Sequence, residues 1–160
     1  QDEAWGFIQD RFGLSREEAP AIQIIHNDIP VNDMPRLYQS ADCFVLPTRG
    51  EGWGRPLMEA MACGLQVIAP TFGGQSAFMN SDNAYIVDHT VVPVSEEVAE
   101  LYPKFAGHKW AEPSLEHFRH LMRQVYSNQS QARETGCRAR DYILTNFGRD
   151  QVGKWIRSII

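Results

Sequence analysis

The sequence predicts an α/β fold: a three-layer α/β/α arrangement around a parallel sheet, with extra helices at the C-terminal end. Three observations carry this. Short apolar runs alternate with helical or glycine-rich segments, the signature of βαβ units. One of those runs, Cys43-Phe44-Val45-Leu46, is uninterrupted, as in a parallel strand covered on both faces. From Ser114 onward the apolar residues recur at helical spacing only.

Taken in order, Trp5, Ile8 and Phe12 share one helical face, and Gly13 fits its stop. Ala21-Ile22-Gln23-Ile24-Ile25 lies between Pro20 and Asn27-Asp28 and predicts a strand. Asn32 or Asp33 can cap a short helix over residues 35–39. Pro47 stops the run 43–46, and Thr48-Arg49-Gly50-Glu51-Gly52-Trp53-Gly54-Arg55 is a glycine-rich loop. Pro56 suits the first turn of a helix that Gly64 closes. Gln66-Val67-Ile68-Ala69 predicts the next strand, Thr71-Phe72-Gly73-Gly74 a second glycine loop, and Ala84-Tyr85-Ile86-Val87 a further strand. Residues 88–113 read as a short strand at 91–94, a helix near 96–102 and a loop. Leu115, Phe118, Leu121, Met122 and Val125 form one apolar face behind a Ser114 cap. Residues 131–145 predict another helix, and Val152, Trp155, Ile156 and Ile159 a last amphipathic one.

At 160 residues the chain has the length of one domain and the ordinary globular balance, 43% apolar and 22% charged. A net charge of −5 without any basic run argues against nucleic acid as a partner. No apolar run approaches the ~20 residues of a membrane-spanning helix. Gln1-Asp2-Glu3 does not begin a signal peptide, and the lack of an initiator Met predicts a chain cut from a longer one. Cys43, Cys63 and Cys137 make no C-x-x-C pair. Free thiols, with Cys43 and Cys63 buried, point to a reducing, cytoplasmic setting. A catalytic thiol has no His near it in sequence. His117 and His120 stand at i, i+3 on a helix without a third ligand, so a solvated helix face is predicted and no metal.

The chemistry gathers at the first glycine loop. If a helix opens at Pro56, Glu51 lies just before it and Glu59 near the end of its first turn. The unpaired amides of a helix start attract a phosphate, and Gly52 and Gly54 let a ligand approach the backbone. Carboxylates accept hydrogen bonds from hydroxyls. A diphosphate on the helix with polyols on either side describes a nucleotide-sugar. The plainer reading makes Glu51 a solvated loop residue and Glu59 a helix-dipole partner. Location favours the ligand, because open parallel sheets bind at the C-terminal ends of their strands, and both glycine loops follow strands.

Residues 33–74, and above all Glu51-Gly52-Trp53-Gly54-Arg55-Pro56-Leu57-Met58-Glu59 running into Ala60-Met61-Ala62-Cys63-Gly64, resemble the C-terminal, donor-binding domain of retaining family-4 glycosyltransferases. The matching signature is Glu-x7-Glu. A looser likeness runs through Asn83-Ala84-Tyr85 and Trp110-Ala111-Glu112-Pro113-Ser114 to the last helix. The resemblance implies a Rossmann-like sheet forming the C-terminal half of a GT-B fold, and transfer from a nucleoside-diphosphate-sugar with retention at the anomeric carbon. It implies that Glu51 contacts the donor sugar, Glu59 the ribose, and the backbone of Gly52, Trp53, Gly54 and Arg55 the diphosphate. More loosely, it brings the base near His26, which is otherwise a strand-end residue. No cofactor beyond the donor is implied, and the Asp-x-Asp metal motif of the other glycosyltransferase fold is absent.

Departures from the family pattern are Gln66, where Pro is frequent, and Arg55, where an apolar residue is common. Arg55 then adds a contact or faces water. Trp53 is either a lid or stacking residue, or packs against the strand ends. The resemblance also implies that the family's first strand, its glycine loop and its basic residues precede this chain, with an acceptor-binding N-terminal domain before them. Residues 1–147 are then a truncated nucleotide-sugar domain, and residues 148–160 a helix crossing toward the absent domain. Such a fragment is expected to be inactive alone, and any membrane association would come through the absent domain. The acceptor would be a sugar, lipid or protein. A non-catalytic binding or interaction module on the same fold is the alternative, and a nucleotide-sugar epimerase has no local support.

Overall fold

The computed structural model describes the backbone of residues 2–15 and 17–159, with side chains from Trp5 onward. The chain divides into two compact units, Gln1–Val31 and Asn32–Ile160.

The first unit opens with helix α1, Asp2–Phe12. Gly13, at φ +65°, donates its N–H to the Gln9 carbonyl at 2.8 Å and ends the helix as expected. A turn follows in which Ser15 and Glu18 bond reciprocally, the Ser15 hydroxyl donating to Glu18 Oε2 at 2.9 Å. The strand expected at residues 21–25 does not form; this stretch has no regular secondary structure. Its β-branched composition suits a strand, but a strand needs a ladder partner for its N–H and C=O groups, and none of the described residues supplies one.

The second unit holds the parallel sheet. Helix α2 (Met34–Gln39) leads into β1 (Cys43–Val45), helix α3 (Arg55–Ala62), β2 (Gln66–Ala69) and β3 (Tyr85–Ile86). The strand order is β1-β2-β3, all parallel, with Cys43 opposite Gln66 and Ile68 opposite Tyr85. β2 is the central strand and every residue of it is buried. Its side chains alternate between two cores. Val67 and Ala69 pack with Leu57, Ala60 and Met61 of α3 and with Ala139 and Ile143. Ile68 packs with Val87, Leu121, Val125 and Ala132 on the opposite face. That alternation makes the three layers expected from the sequence.

The ends of three helices show how far the predicted helix chemistry holds. Asp33 precedes α2, but its side chain makes no cap bond; its backbone carbonyl accepts from Arg36 and Leu37 instead. Gly64 closes α3: its N–H bonds to the Met61 carbonyl and that of Leu65 to Ala60, the paired bonds of a Schellman stop. Ser114 caps helix α5 (Leu115–Ser127) by accepting from His117 N–H at 3.2 Å. Helices α6 (Gln129–Phe147) and α7 (Arg149–Ile159) complete the unit.

Residues 88–113 depart from expectation. The strand predicted at 91–94 is longer and has an antiparallel partner: β4 (His89–Pro93) pairs with β5 (Lys109–Pro113) along its whole length. Helix α4 (Glu96–Leu101) and a short 3-10 turn (Pro103–Phe105) connect them. The fold is therefore a parallel α/β core carrying a small two-stranded sheet. Among the described residues no helix is long and apolar enough to cross a membrane.

Candidate functional site

The two glycine loops lie at the C-terminal ends of β1 and β2, and they clasp each other. Glu51 and Gly73 form an isolated parallel bridge. Gly74 N–H donates to the Glu51 carbonyl at 2.9 Å, and Glu51 N–H reaches the Phe72 carbonyl at 3.4 Å. Only glycine fits this closeness. A Cβ on Gly73, at φ +108°, would stand 2.3 Å from the Glu51 carbonyl oxygen, and one on Gly74 would stand 2.2 Å from that of Gly52.

Gly54 then turns the chain into α3 with φ +83°. The first bond of the helix runs from Met58 N–H to the Gly54 carbonyl at 3.1 Å. Pro56 has no N–H, so the first turn presents the amides of Arg55 and Leu57, which have no carbonyl one turn back. The helix starts at Arg55, one residue before the proline expected to open it.

Glu51 and Glu59 flank this helix start, each held by a hydroxyl. Thr48 Oγ1 donates to Glu51 Oε1 at 2.8 Å. Tyr38 Oη donates to Glu59 Oε2 at 3.2 Å, and Arg55 Nη2 lies 3.5 Å from Glu59 Oε1. The Arg55 side chain is mostly in solvent and pairs with Glu59 one turn on. Burial, and then the Glu59 carboxylate beside it, push the Tyr38 phenol up to about 12. The phenol is therefore a fixed donor at neutral pH. Sequence reasoning missed both hydroxyls; Thr48 stands three residues before Glu51, and Tyr38 reaches Glu59 only through the fold.

Trp53 is part-exposed, at 42%. It packs on Phe78 (centroids 5.8 Å apart) and on Phe147 at the end of α6 (6.1 Å), and Phe147 in turn meets Trp155 of α7 edge-on at 6.1 Å. Gln75 is fully buried beneath the loops; its Nε2 donates to the Pro70 carbonyl at 3.1 Å, while its Oε1 has no partner among the described residues.

The small sheet abuts the first loop. Ala111 N–H donates to the Arg49 carbonyl at 3.0 Å. The Arg49 guanidinium grips Glu112 at 2.7 and 3.1 Å and lies 4.6 Å over the Trp110 ring. This contact holds the Glu112 carboxyl below its ordinary range. Between loop and sheet is a cleft of about 370 Å³, with Glu51, Phe72, Lys109 and Trp110 among its lining residues. Glu59 is not one of them.

The remaining sequence candidates fall elsewhere. His26 lies in the first unit, exposed and outside any regular element. His120 is exposed, as a solvated face requires, and His117 is half-buried: its Nδ1 is 3.0 Å from both the Asp88 backbone N and Asp88 Oδ2, and its ring stacks on His120. No group of three or more metal-ligating side chains is assembled among the described residues. The three cysteines are free; Cys43 and Cys63 are half-buried and Cys137 is exposed. Burial pushes the Cys43 thiol up to about 12 and that of Cys63 in the same direction.

Comparison with known proteins agrees with the geometry. The sequence model of a family described as Glycosyl transferases group 1 matches residues 15–103. O-antigen chain mannosyltransferase B of Escherichia coli is 48% identical over 40 residues, 25% of this chain and 10% of that protein. D-inositol 3-phosphate glycosyltransferase of Salinispora tropica is 34% identical over 74 residues, 45% of this chain and 15% of that protein. The chain thus spans a small part of the curated relatives it matches. Sucrose-phosphate synthase from Thermosynechococcus elongatus superposes with a TM-score of 0.67 at 19% identity, over 99% of this chain and 34% of that one. The Rossmann-like, GT-B fold and the matched family model together place the chain among the group 1 glycosyltransferases.

Proposed function

We propose that this chain is the donor-binding half of a retaining glycosyltransferase, which moves a hexose from a nucleoside-diphosphate-sugar to an acceptor. The observation that carries it is the pair of carboxylates on either side of the α3 start, with two glycine loops clasped beside them. The amides of the first turn take the diphosphate. A carboxylate has about four acceptor positions. Tyr38 and Arg55 engage Glu59 without filling it, so it can accept from ribose hydroxyls. Glu51, bonded to Thr48 at one oxygen, accepts from the sugar.

During transfer the anomeric carbon gains oxocarbenium character and negative charge grows on the leaving diphosphate. Donors fixed before the reaction stabilise that charge without reorganising, and the clasped loops fix the α3 amides. Glu51 is the group nearest the reacting sugar. The matches span only a small part of the relatives, which supports an acceptor-binding domain outside residues 1–160. The division at residue 147 draws its support from α7, where Trp155 is 45%, Ile156 53% and Ile159 85% exposed, an apolar face suited to another domain.

A thermal-shift screen of nucleoside diphosphates tests the reading. One of them should raise the melting temperature in a concentration-dependent way, since a ligand that binds only the folded state stabilises it. No shift with any nucleoside diphosphate, for the complete enzyme, refutes the donor-site assignment and favours a non-catalytic module.

A further inference from the structure

Resting on that donor-site reading, the structure points to which part of the chain reads the sugar. We propose that the cleft between the clasped loops and the β4–β5 sheet is the subsite for the transferred pyranose ring, and that His108 and Lys109 are its specificity-determining residues.

The cleft holds about 370 Å³, within the size range of small-ligand sites. Its chemistry suits a polyol ring better than a base or a phosphate. Phe72, Phe105 and Trp110 supply apolar aromatic surface for the C–H face of a pyranose. Glu51 supplies an acceptor, while Lys109 and His108 supply donors. A sugar hydroxyl donates and accepts at once, so it is matched by this mixture. The nucleoside end is assigned elsewhere, because Glu59 does not line this cleft.

The wall is built to hold its shape. Trp110 carries the Arg49 guanidinium on its ring, and Glu112 fixes that guanidinium with two bonds. Phe72 is set edge-on against His89 of β4, at 5.9 Å. The turn that presents His108 is closed by His108 N–H on the Phe105 carbonyl (3.1 Å) and Val94 N–H on the His108 carbonyl (2.9 Å). Prepositioned groups lose little freedom on binding.

The test is calorimetric titration of the complete enzyme and its Lys109→Met and His108→Ala variants. The probes are the nucleoside diphosphate found by thermal shift and two of its hexose conjugates epimeric at one ring carbon. Both residues are exposed, so the variants should melt with the wild type. The expected result is unchanged affinity for the nucleoside diphosphate, about tenfold weaker binding of the preferred conjugate in the lysine variant, and a smaller ratio between the epimers. Unchanged affinity for both conjugates in both variants overturns the proposal while leaving the donor-site reading intact. Failure of the wild type to bind any nucleoside diphosphate overturns both.

Discussion

Adding one methyl group at Gly74 should separate the two glycine loops and disable donor binding. In Gly74→Ala the new Cβ would stand 2.2 Å from the Gly52 carbonyl oxygen and 2.5 Å from Trp53 Cα. A relaxed C···O contact needs about 3.3 Å, so backbone must move by about 1 Å. The atoms in the way are main chain and cannot swing aside as a side-chain tip would. The bond from Gly74 N–H to the Glu51 carbonyl is the one under most strain. Overpacking of this kind costs about 1–3 kcal/mol, or roughly 2–12 °C in melting temperature for a chain of this size. A misplacement of about 1 Å can cost on the order of a hundredfold in rate. Gly52→Ala is the control, because nothing lies within 4 Å of its added Cβ. It should melt with the wild type and still weaken donor binding if a diphosphate approaches that backbone. Differential scanning calorimetry and donor titration of both variants check this. A Gly74→Ala protein with wild-type stability and affinity would refute the clasp as the device that positions Glu51.

Phe147→Ala removes the ring that Trp53 and Trp155 share, so stability should fall by about 1–3 kcal/mol, and the tryptophan emission of the native protein should shift to the red. Arg49→Ala breaks an exposed pair worth at most about 1 kcal/mol; its melting temperature should barely change while affinity for a nucleotide-sugar falls, as read by titration. Burial, and then the Glu59 carboxylate, raise the Tyr38 phenol of the folded state to about 12 from its ordinary 10.0, so the folded state holds that proton more tightly. Its contribution to stability is complete below pH 10 and lost as pH rises toward 12, and Glu59→Gln should lower the phenolate transition seen by ultraviolet absorbance. Thiol alkylation of the native protein should label Cys137 well before Cys63 or Cys43, as mass spectrometry of timed samples would show.

The parallel core was legible because its signals are local. β2 is four apolar or tolerated residues buried on both faces, and α3 sits between a loop glycine and Gly64. Glu51 and Glu59 were legible for the same reason, both lying within one loop and the helix it opens. What the sequence hid is held by distant contacts. Tyr38 reaches Glu59 across 21 residues and Arg49 reaches Glu112 across 63. The β4–β5 pair carries no clear alternation, since only Ala111 of β5 is fully buried and its neighbours include Lys109, Glu112 and a proline. Residues 21–25 mislead in the opposite sense: β-branched side chains favour a strand only when a neighbouring backbone completes the ladder.

The central claim is that Glu59 and Glu51 divide a nucleotide-sugar between them across the start of α3. Titrating Glu59→Gln and Glu51→Gln with a nucleoside diphosphate and with its sugar conjugate tests it most directly. A hydrogen bond to a charged acceptor contributes about 1.5–3 kcal/mol, which is about tenfold to a hundredfold in affinity. Glu59→Gln should weaken both ligands, because both carry the ribose. Glu51→Gln should spare the diphosphate and weaken only the conjugate. Equal losses for both ligands in both variants would mean that the carboxylates only shape the loop, and would contradict the account.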